Sequence, residues 1–124
     1  MSIGNRLRSA EAKVARNLLD VVILAFLEEG PLHGYKINAR FRKAFGHGLS
    51  ASTIYPLLYT LEERGYIEGE WTGNSRRKRR VYSITQKGRD RLTSTYYVLA
   101  RLTKMIERTF IKEEERPERG VTLP

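Results

Sequence analysis

The densest charge in the sequence is a run of five basic side chains, Arg76 to Arg80, that leads directly into Val81-Tyr82-Ser83-Ile84-Thr85. Guanidinium and ammonium groups pair well with phosphate oxygens. The alternation of large apolar with small polar residues that follows is typical of a β-strand. A basic run held in solvent needs no strand behind it. Its position at the end of a strand therefore predicts cations that are held toward a polyanion.

A second stretch has the opposite character. Residues 49–61 carry no charged side chain, whereas residues 33–48 carry four Lys or Arg and no acid, and residues 71–91 carry eight Lys or Arg against one acid. The uncharged stretch is rich in hydroxyl and aromatic groups, which distinguish base pairs by hydrogen bonds and apolar contacts in a major groove. With a net charge of +9 over 124 residues, we expect nucleic acid as the first candidate partner and an anionic membrane as the second.

The sequence gives little indication of disulfides, metal sites, catalysis or membrane spans. The chain has no cysteine, so disulfides and thiolate sites are excluded. His33 and His47 have no carboxylate at metal-ligand spacing, and Glu62-Glu63 is typical of a surface pair at a helix end. The longest apolar run, Val21 to Leu27, is far shorter than the roughly 20 residues of a membrane span. We expect no enzyme activity, no metal, no cofactor and no membrane insertion, and a cytoplasmic location without a signal peptide.

Apolar periodicity and stop signals predict the elements that must position these groups. A basic helical lead-in is expected from Arg6 to Arg16, and a helix from Leu18 ends at a Gly-Pro pair. A second helix is predicted from Gly34 to Phe45. The third begins at Ser50 or Ser52, either of which could cap it through its hydroxyl.

The third helix has one apolar and one polar face. Its predicted buried stripe consists of Ile54, Leu57, Leu58 and Leu61. At 100° per residue, the opposite side carries Ser52, Tyr55, Pro56, Tyr59 and Glu63. Proline is tolerated only near a helix start, where the loss of one N–H costs little. The exposed side near the N-terminus therefore presents hydroxyls and aromatic rings, unless the two tyrosines pack against the neighbouring hairpin.

A hairpin and a long helix complete the pattern. Tyr66 to Trp71 and Arg79 to Ile84 are predicted to pair across a Gly-Asn turn, with Trp71 as a packing residue. Thr85 is predicted to cap a final helix whose apolar residues recur in steps of four and three, as in a coiled-coil seam. The seam residues are Leu92, Tyr96, Leu99, Thr103, Ile106 and Phe110. The seam could pack on the first helix or pair with a second subunit, and surplus apolar surface favours the homodimer.

This order of elements predicts a mainly α protein with a small β-hairpin, that is, a winged helix-turn-helix with a C-terminal dimerisation helix. The expected organisation is a basic N-terminal helical extension over residues 1–16 and a DNA-binding domain over residues 17–85. A dimerisation helix over residues 86–111 and a charged tail over residues 112–124 follow.

Three segments also resemble a known family. They are LLDVVILAFLEEGPLHGYKI (18–37), LSASTIYPLLYTLEERGYIEGEW (49–71) and RRVYSITQKGRDRL (79–92). Together they resemble the PadR-like transcriptional regulators over about residues 17 to 110. The resemblance implies a dimeric winged-helix repressor. Ala51-Ser52 stands where the family often has Pro-Gly, and the single C-terminal helix resembles the short subgroup of the family.

In a winged helix-turn-helix the third helix enters the major groove, the second crosses the phosphate backbone, and the wing reaches the backbone or the minor groove. Alternation along the strand indicates that two or three of the five wing cations face DNA. The predicted DNA-binding residues are Tyr35, Lys36, Ser50, Ser52, Thr53, Tyr55, Pro56, Tyr59, Arg76, Arg77, Lys78, Arg79 and Arg80.

The sequence thus predicts a sequence-specific regulator of transcription, a homodimeric repressor that reads a two-fold operator on double-stranded DNA. The alternatives are a sequence-tolerant architectural protein of the nucleoid, an RNA-associated winged-helix module, and a binder of anionic membranes through the basic N-terminal helix. The sequence identifies no small-molecule effector.

Overall fold

The computed structural model describes residues 10, 11 and 13–115, with side chains up to residue 111. Residues 10–11 and 13–17 are helical. Much of the predicted lead-in from Arg6, and the end of the predicted tail, lie outside the described residues. Internal contacts divide the chain into two units, Met1–Leu92 and Thr93–Pro124.

Over residues 19–115, which the structure describes without a gap, four helices and three strands follow one another with short connections. The helices are α1 (Leu19–Glu28), α2 (Gly34–Phe45), α3 (Ala51–Glu63) and α4 (Gln86–Glu115), and the strands are β1 (Leu32–His33), β2 (Ile67–Thr72) and β3 (Arg79–Ile84). The final helix extends four residues beyond the predicted boundary at residue 111. The order of helices and hairpin agrees with the predicted winged helix-turn-helix.

The sheet has one strand more than the predicted hairpin. Its order is β1-β3-β2 with antiparallel pairing throughout. Leu32 lies opposite Tyr82, and Ile67 lies opposite Ile84. The additional strand, β1, has only two residues, which is too short to show an alternating pattern in the sequence. It is recognised only by its pairing with β3 in the structure.

The core lies where the three short helices meet the inner face of the sheet. Leu24 of α1 and Leu58 of α3 are completely buried, and Ile67 of β2 is 1% exposed. The same buried cluster also contains Ile23, Leu27, Ile37, Ile54, Leu61, Tyr82 and Ile84. The predicted apolar stripe of α3 is therefore the buried one, with Leu57 partly buried at its margin. These contacts fix the rotation of α3 about its own axis.

The end of α3 is built as a Schellman motif. The amide of Tyr66 donates to the carbonyl of Leu61, and the amide of Gly65 donates to the carbonyl of Glu62. Gly65 has φ of +79°, a left-handed conformation that glycine adopts without a steric penalty. The chain therefore turns sharply from α3 into β2.

Thr85 joins this turn to the start of α4. Its hydroxyl accepts a hydrogen bond from the amide of Gly88 (3.1 Å) and donates one to the carbonyl of Gly65 (2.6 Å). Gly88 also passes so close to the carbonyl oxygen of Tyr66 that a Cβ there would overlap it. The predicted cap is confirmed, and the same hydroxyl satisfies a carbonyl at the end of α3.

We expect the change Thr85→Ala to lower the free energy of unfolding by about 1–2 kcal/mol, because it removes a helix cap and leaves the Gly65 carbonyl without its donor. The change Thr85→Ser keeps the hydroxyl and serves as the control. Urea denaturation followed by circular dichroism measures both. Equal stability of the two variants would contradict the assigned role of the hydroxyl.

Candidate nucleic-acid interface

The exposed face of α3 carries the residues that the sequence assigned to it. Ser52, Thr53 and Pro56 are exposed, and Tyr55 and Tyr59 are 50% and 66% exposed. The burial of Ile54, Leu58 and Leu61 on the other side leaves this face turned to solvent. From Ser52 to Tyr59 it is an uncharged surface of hydroxyls and aromatic rings, and the exposed Glu63 follows at the end of the helix.

The N-terminus of α3 differs in detail from the prediction. Ser50 occupies the N-cap position with extended backbone, but its hydroxyl caps no backbone amide. It lies instead 3.0 Å from the hydroxyl oxygens of both Ser52 and Thr53. The predicted hydroxyl cap is therefore wrong for Ser50, and Ser52 lies inside the helix. Three hydroxyls form one cluster at the helix start, where backbone N–H groups favour an anion.

Pro56 lies in the second turn of α3. Proline has no N–H, so the carbonyl of Ser52 lacks the hydrogen bond that residue 56 would otherwise donate. Both residues are on the exposed face, where water or a bound partner can satisfy that carbonyl. The helix continues beyond Pro56 because its core stripe holds it in place.

Asn38 of α2 fixes the turn that leads into α3. Its side-chain amide donates to the carbonyl of Leu49, and its side-chain oxygen accepts from the amide of Leu49, each at 2.7 Å. Sequence reasoning did not identify this residue, because nothing local marks an asparagine inside a helix as a clamp for a backbone eleven residues away. The paired bonds set where α3 begins relative to α2.

The start of α2 meets both α3 and the wing. Tyr35 is 48% exposed, and Lys36 is exposed beside it. The Tyr35 hydroxyl accepts a hydrogen bond from Nη1 of Arg79 (3.0 Å), and the guanidinium carbon lies 5.1 Å from the ring centroid. The Tyr55 ring of α3 lies directly against Gly34 of α2: a Cβ added to Gly34 would be only 3.1 Å from Cε1 of Tyr55. The predicted residues of α2, α3 and β3 are thus brought together.

The tip of the wing is an ordered turn. Gly73 has φ of +95°, and a Cβ at this position would overlap the carbonyl oxygen of Arg77. The side-chain oxygen of Asn74 accepts hydrogen bonds from the amides of Arg76 (3.0 Å) and Arg77 (3.1 Å). The side chains of Arg76, Arg77 and Lys78 are exposed on this turn.

The fourth and fifth cations of the run have partners within the protein. Arg79 contacts Tyr35, and Arg80 forms an ion pair with Glu62 of α3. The Arg80 guanidinium carbon also lies 5.4 Å from the ring centroid of Trp71. Trp71 itself is 63% exposed, so its prediction as a packing residue is wrong: one face of its ring supports Arg80, and much of the rest is open to solvent.

An open groove of about 540 Å³ separates α3 from the wing. Its lining combines aromatic rings with both members of the ion pair, and consists of Tyr55, Tyr59, Glu62, Glu63, Trp71, Arg80 and Tyr82. Tyr82 forms part of the floor and is 7% exposed. Burial raises the pKa of Tyr82 above its ordinary value of 10.0, against a smaller lowering by Arg80. Its hydroxyl is therefore neutral at physiological pH.

Within the described residues, no three His, Asp or Glu side chains come together in a way that could hold a metal ion. Over the same residues, no helix is both long and apolar enough to cross a membrane.

In the second unit, α4 exposes most of the predicted seam. Tyr96, Ile106 and Phe110 are 62%, 56% and 59% exposed. Thr103 is exposed and Leu99 is partly buried, while Leu92, the last residue of the first unit, packs against the core. Leu102 and Met105, which the predicted seam omitted, are 47% and 56% exposed. The exposed apolar surface is therefore wider than the predicted seam.

Comparisons with known proteins agree with this geometry. Residues 23–94 match the transcriptional regulator PadR-like family. The negative transcriptional regulator PadR of Bacillus subtilis is 33% identical over 78 residues, which are 60% of this chain and 43% of that protein. The chain spans less than half the length of curated relatives such as this one.

Solved structures are similar as well, and two of them serve as examples. A transcriptional regulator from Clostridium thermocellum has a TM-score of 0.68 at 28% identity, over 77% of this chain and 96% of that one. Bacillus subtilis PadR in complex with operator DNA has a TM-score of 0.59 at 29% identity, over 64% of this chain and 45% of that one.

The raised pKa of Tyr82 predicts a stability that declines in alkali. Because the folded state holds this proton more tightly than the unfolded state, its contribution is complete below about pH 10 and is lost as the pH rises through the folded pKa. Urea midpoints between about pH 9 and pH 11 should therefore fall more steeply for the wild type than for Tyr82→Phe. The matched control is Tyr59→Phe on the exposed face of α3, which should follow the wild type. Identical slopes for all three proteins would contradict the assignment.

Proposed function

The chain belongs to the PadR-like family of transcriptional regulators, whose members are regulators rather than enzymes, and from this premise we propose that it is a homodimeric repressor that reads a two-fold operator on double-stranded DNA. One observation carries the proposal. The uncharged exposed face of α3 lies in one unit with a wing whose tip presents Arg76, Arg77 and Lys78 to solvent. Groups that distinguish bases are thus combined with groups that neutralise phosphates.

The division of roles follows from chemistry. Hydroxyls and aromatic rings on α3 read base edges in the major groove, and the wing cations neutralise phosphates without reading sequence. The residues that we propose contact base edges, the reading set, are Ser50, Ser52, Thr53, Tyr55, Pro56 and Tyr59. The wing tip with Tyr35, Lys36 and Arg79 forms the backbone-contacting set. Arg80 differs from the other cations, because Glu62 already neutralises it. Bacillus subtilis PadR, solved with operator DNA, supports this mode of binding.

The organisation of the chain follows the same division. We propose that residues 17–85 form the DNA-binding domain, that residues 86–111 form the dimerisation helix, and that operator binding keeps the protein at the nucleoid. A repressor of this kind acts by occupying a promoter that RNA polymerase would otherwise enter.

Selection of sheared source-genome DNA on the purified protein at about 0.15 M salt, followed by sequencing, tests the proposal. At that ionic strength, surface charges beyond roughly 8 Å are screened, so binding by net charge alone is weakened. We expect a two-fold motif with half-sites about one helical turn apart. Enrichment without a motif would contradict sequence-specific reading and favour an architectural role. Preference for duplex RNA would contradict DNA as the partner.

The two sets of residues should respond differently to substitution. Tyr55→Phe keeps the ring against Gly34 but removes the hydroxyl, and should lower the preference for the selected operator over random duplex about fivefold. Arg77→Ala should weaken both duplexes alike and reduce the slope of log K against log salt by about one per protomer. Fluorescence anisotropy titrations at several salt concentrations measure both effects. A uniform loss for Tyr55→Phe would show that this hydroxyl does not read sequence.

The dimer requires a partner for the exposed face of α4 beyond Leu92. Apolar side chains that remain half exposed along a helix are typical of an interaction surface, and seams with this spacing pair helices. A second copy of the chain fits best, because a two-fold operator needs a two-fold protein. The same pairing would place two reading helices on one DNA.

Ile106→Arg should dissociate the dimer, because a guanidinium would enter the seam. Tyr97→Arg is the matched control: it also places an arginine at an exposed apolar residue of α4, but Tyr97 lies outside the predicted seam. Sedimentation velocity at about 10 μM protein distinguishes monomer from dimer. Dissociation by the control alone would show that the opposite face of α4 forms the interface.

A further inference from the structure

One ion pair connects the reading helix to the wing. Glu62 lies in the last turn of α3 and Arg80 in β3, and the Arg80 guanidinium donates through Nη2 to Oε2 of Glu62. The two side chains are only 28% and 30% exposed. The same carboxylate oxygen also accepts a hydrogen bond from the amide of Gly69 in β2, at 3.0 Å. A single carboxylate of α3 therefore contacts both strands of the wing.

The Arg80 side chain has further partners beside Glu62. Its guanidinium carbon lies 5.4 Å from the ring centroid of Trp71 and 6.0 Å from that of Tyr82. Gly69 leaves room for it, because a Cβ at position 69 would overlap the guanidinium. Such stacking on aromatic faces restrains a cation whose planar group would otherwise sample many positions. The pair is thus part of a packed arrangement, which distinguishes it from a mobile surface contact.

The pair lies between α3 and the hairpin, so it can influence the position of the wing tip. The hairpin continues from Gly69 and Arg80 to the turn that carries Arg76, Arg77 and Lys78. A change in the angle between hairpin and α3 would therefore displace these cations relative to the face of Tyr55 and Tyr59. Glu62 is also an acid beside a surface that we propose binds DNA, where an unpaired carboxylate would repel phosphate.

We propose that Glu62 is a positioning residue for DNA recognition: through Arg80 and the amide of Gly69 it fixes the wing against α3, so that cations and reading groups engage the same half-site. The proposal rests on the proposed function, and it assigns Arg80 to the support of the wing instead of to the phosphate-binding set. Loss of the pair should reduce sequence preference more than overall affinity, because the charges remain while their alignment is lost.

Three variants distinguish an effect of wing position relative to α3 from an effect of removing one negative charge near the DNA. Glu62→Gln keeps the shape of the side chain and an acceptor for the Gly69 amide, but removes the charge that holds Arg80. Gly69→Ala keeps every charge and displaces the guanidinium by its Cβ. Glu63→Gln is the matched control, because it removes the same charge from the exposed neighbouring residue. Two chemically different changes that give one result would identify the alignment as the cause.

The first measurement needs no DNA. Trp71 is the single tryptophan of the chain and lies beside Arg80, so its fluorescence reports on the pair. Time-resolved anisotropy should show a larger amplitude of fast local motion, about twofold, in Glu62→Gln and Gly69→Ala, with Glu63→Gln close to the wild type. Unchanged Trp71 motion in both variants would overturn the proposal.

The second measurement compares affinity for the selected operator with affinity for random duplex. We expect Glu62→Gln and Gly69→Ala to lower this ratio about fivefold relative to Glu63→Gln, the scale of a charged contact with partial exposure, while affinity for random duplex stays equal or rises. A ratio equal to that of Glu63→Gln would overturn the proposal even if Trp71 moves more freely. If the wild-type protein selects no operator sequence, the proposed function fails, and this role of Glu62 fails with it. If the wild type selects an operator and the variants select it equally well, only the role of Glu62 fails.

Discussion

The burial of one stripe of α3 is the constraint on which the rest of the structure depends. Ile54, Leu58 and Leu61 are at most 3% exposed, and each contributes a side chain whose exposure to water would cost about 1.5–3 kcal/mol. Rotation of the helix about its axis would expose them, so the rotation is fixed. The opposite face is then fixed too, and with it the set of groups that a partner can meet.

The position of α3 along its axis is set by polar contacts at its two ends. At its start, Asn38 holds the preceding turn through paired hydrogen bonds. At its end, the Schellman motif and the Thr85 hydroxyl hold the turn into the sheet. Buried or partly buried backbone groups need such partners, so the same bonds that satisfy the backbone also place the helix.

The basic run shows how one charge cluster serves two purposes. Arg80 pairs with Glu62 and holds the wing against α3, and Arg79 contacts Tyr35 of α2 while its side chain stays exposed. Arg76, Arg77 and Lys78, which are farther out, remain exposed on a turn that Asn74 orders. A cation can support the wing only where a protein partner is within reach, and that depends on its distance from the helices.

The sequence by itself determined those features that local signals encode. Helical periodicity identified the helices and the buried side of α3, and Thr85 was identifiable as a cap because its partner lies three residues away. Charge distribution predicted the candidate interface, although the groups that touch DNA are still a prediction. Contacts between distant residues were decided by the tertiary structure alone: the pairing of β1 with β3, the Asn38 clamp, and the partners of Arg79 and Arg80, which lie 44 and 18 residues away. Local propensity acts over a few residues, whereas these partners are chosen by which side chains the packed core brings within hydrogen-bonding distance.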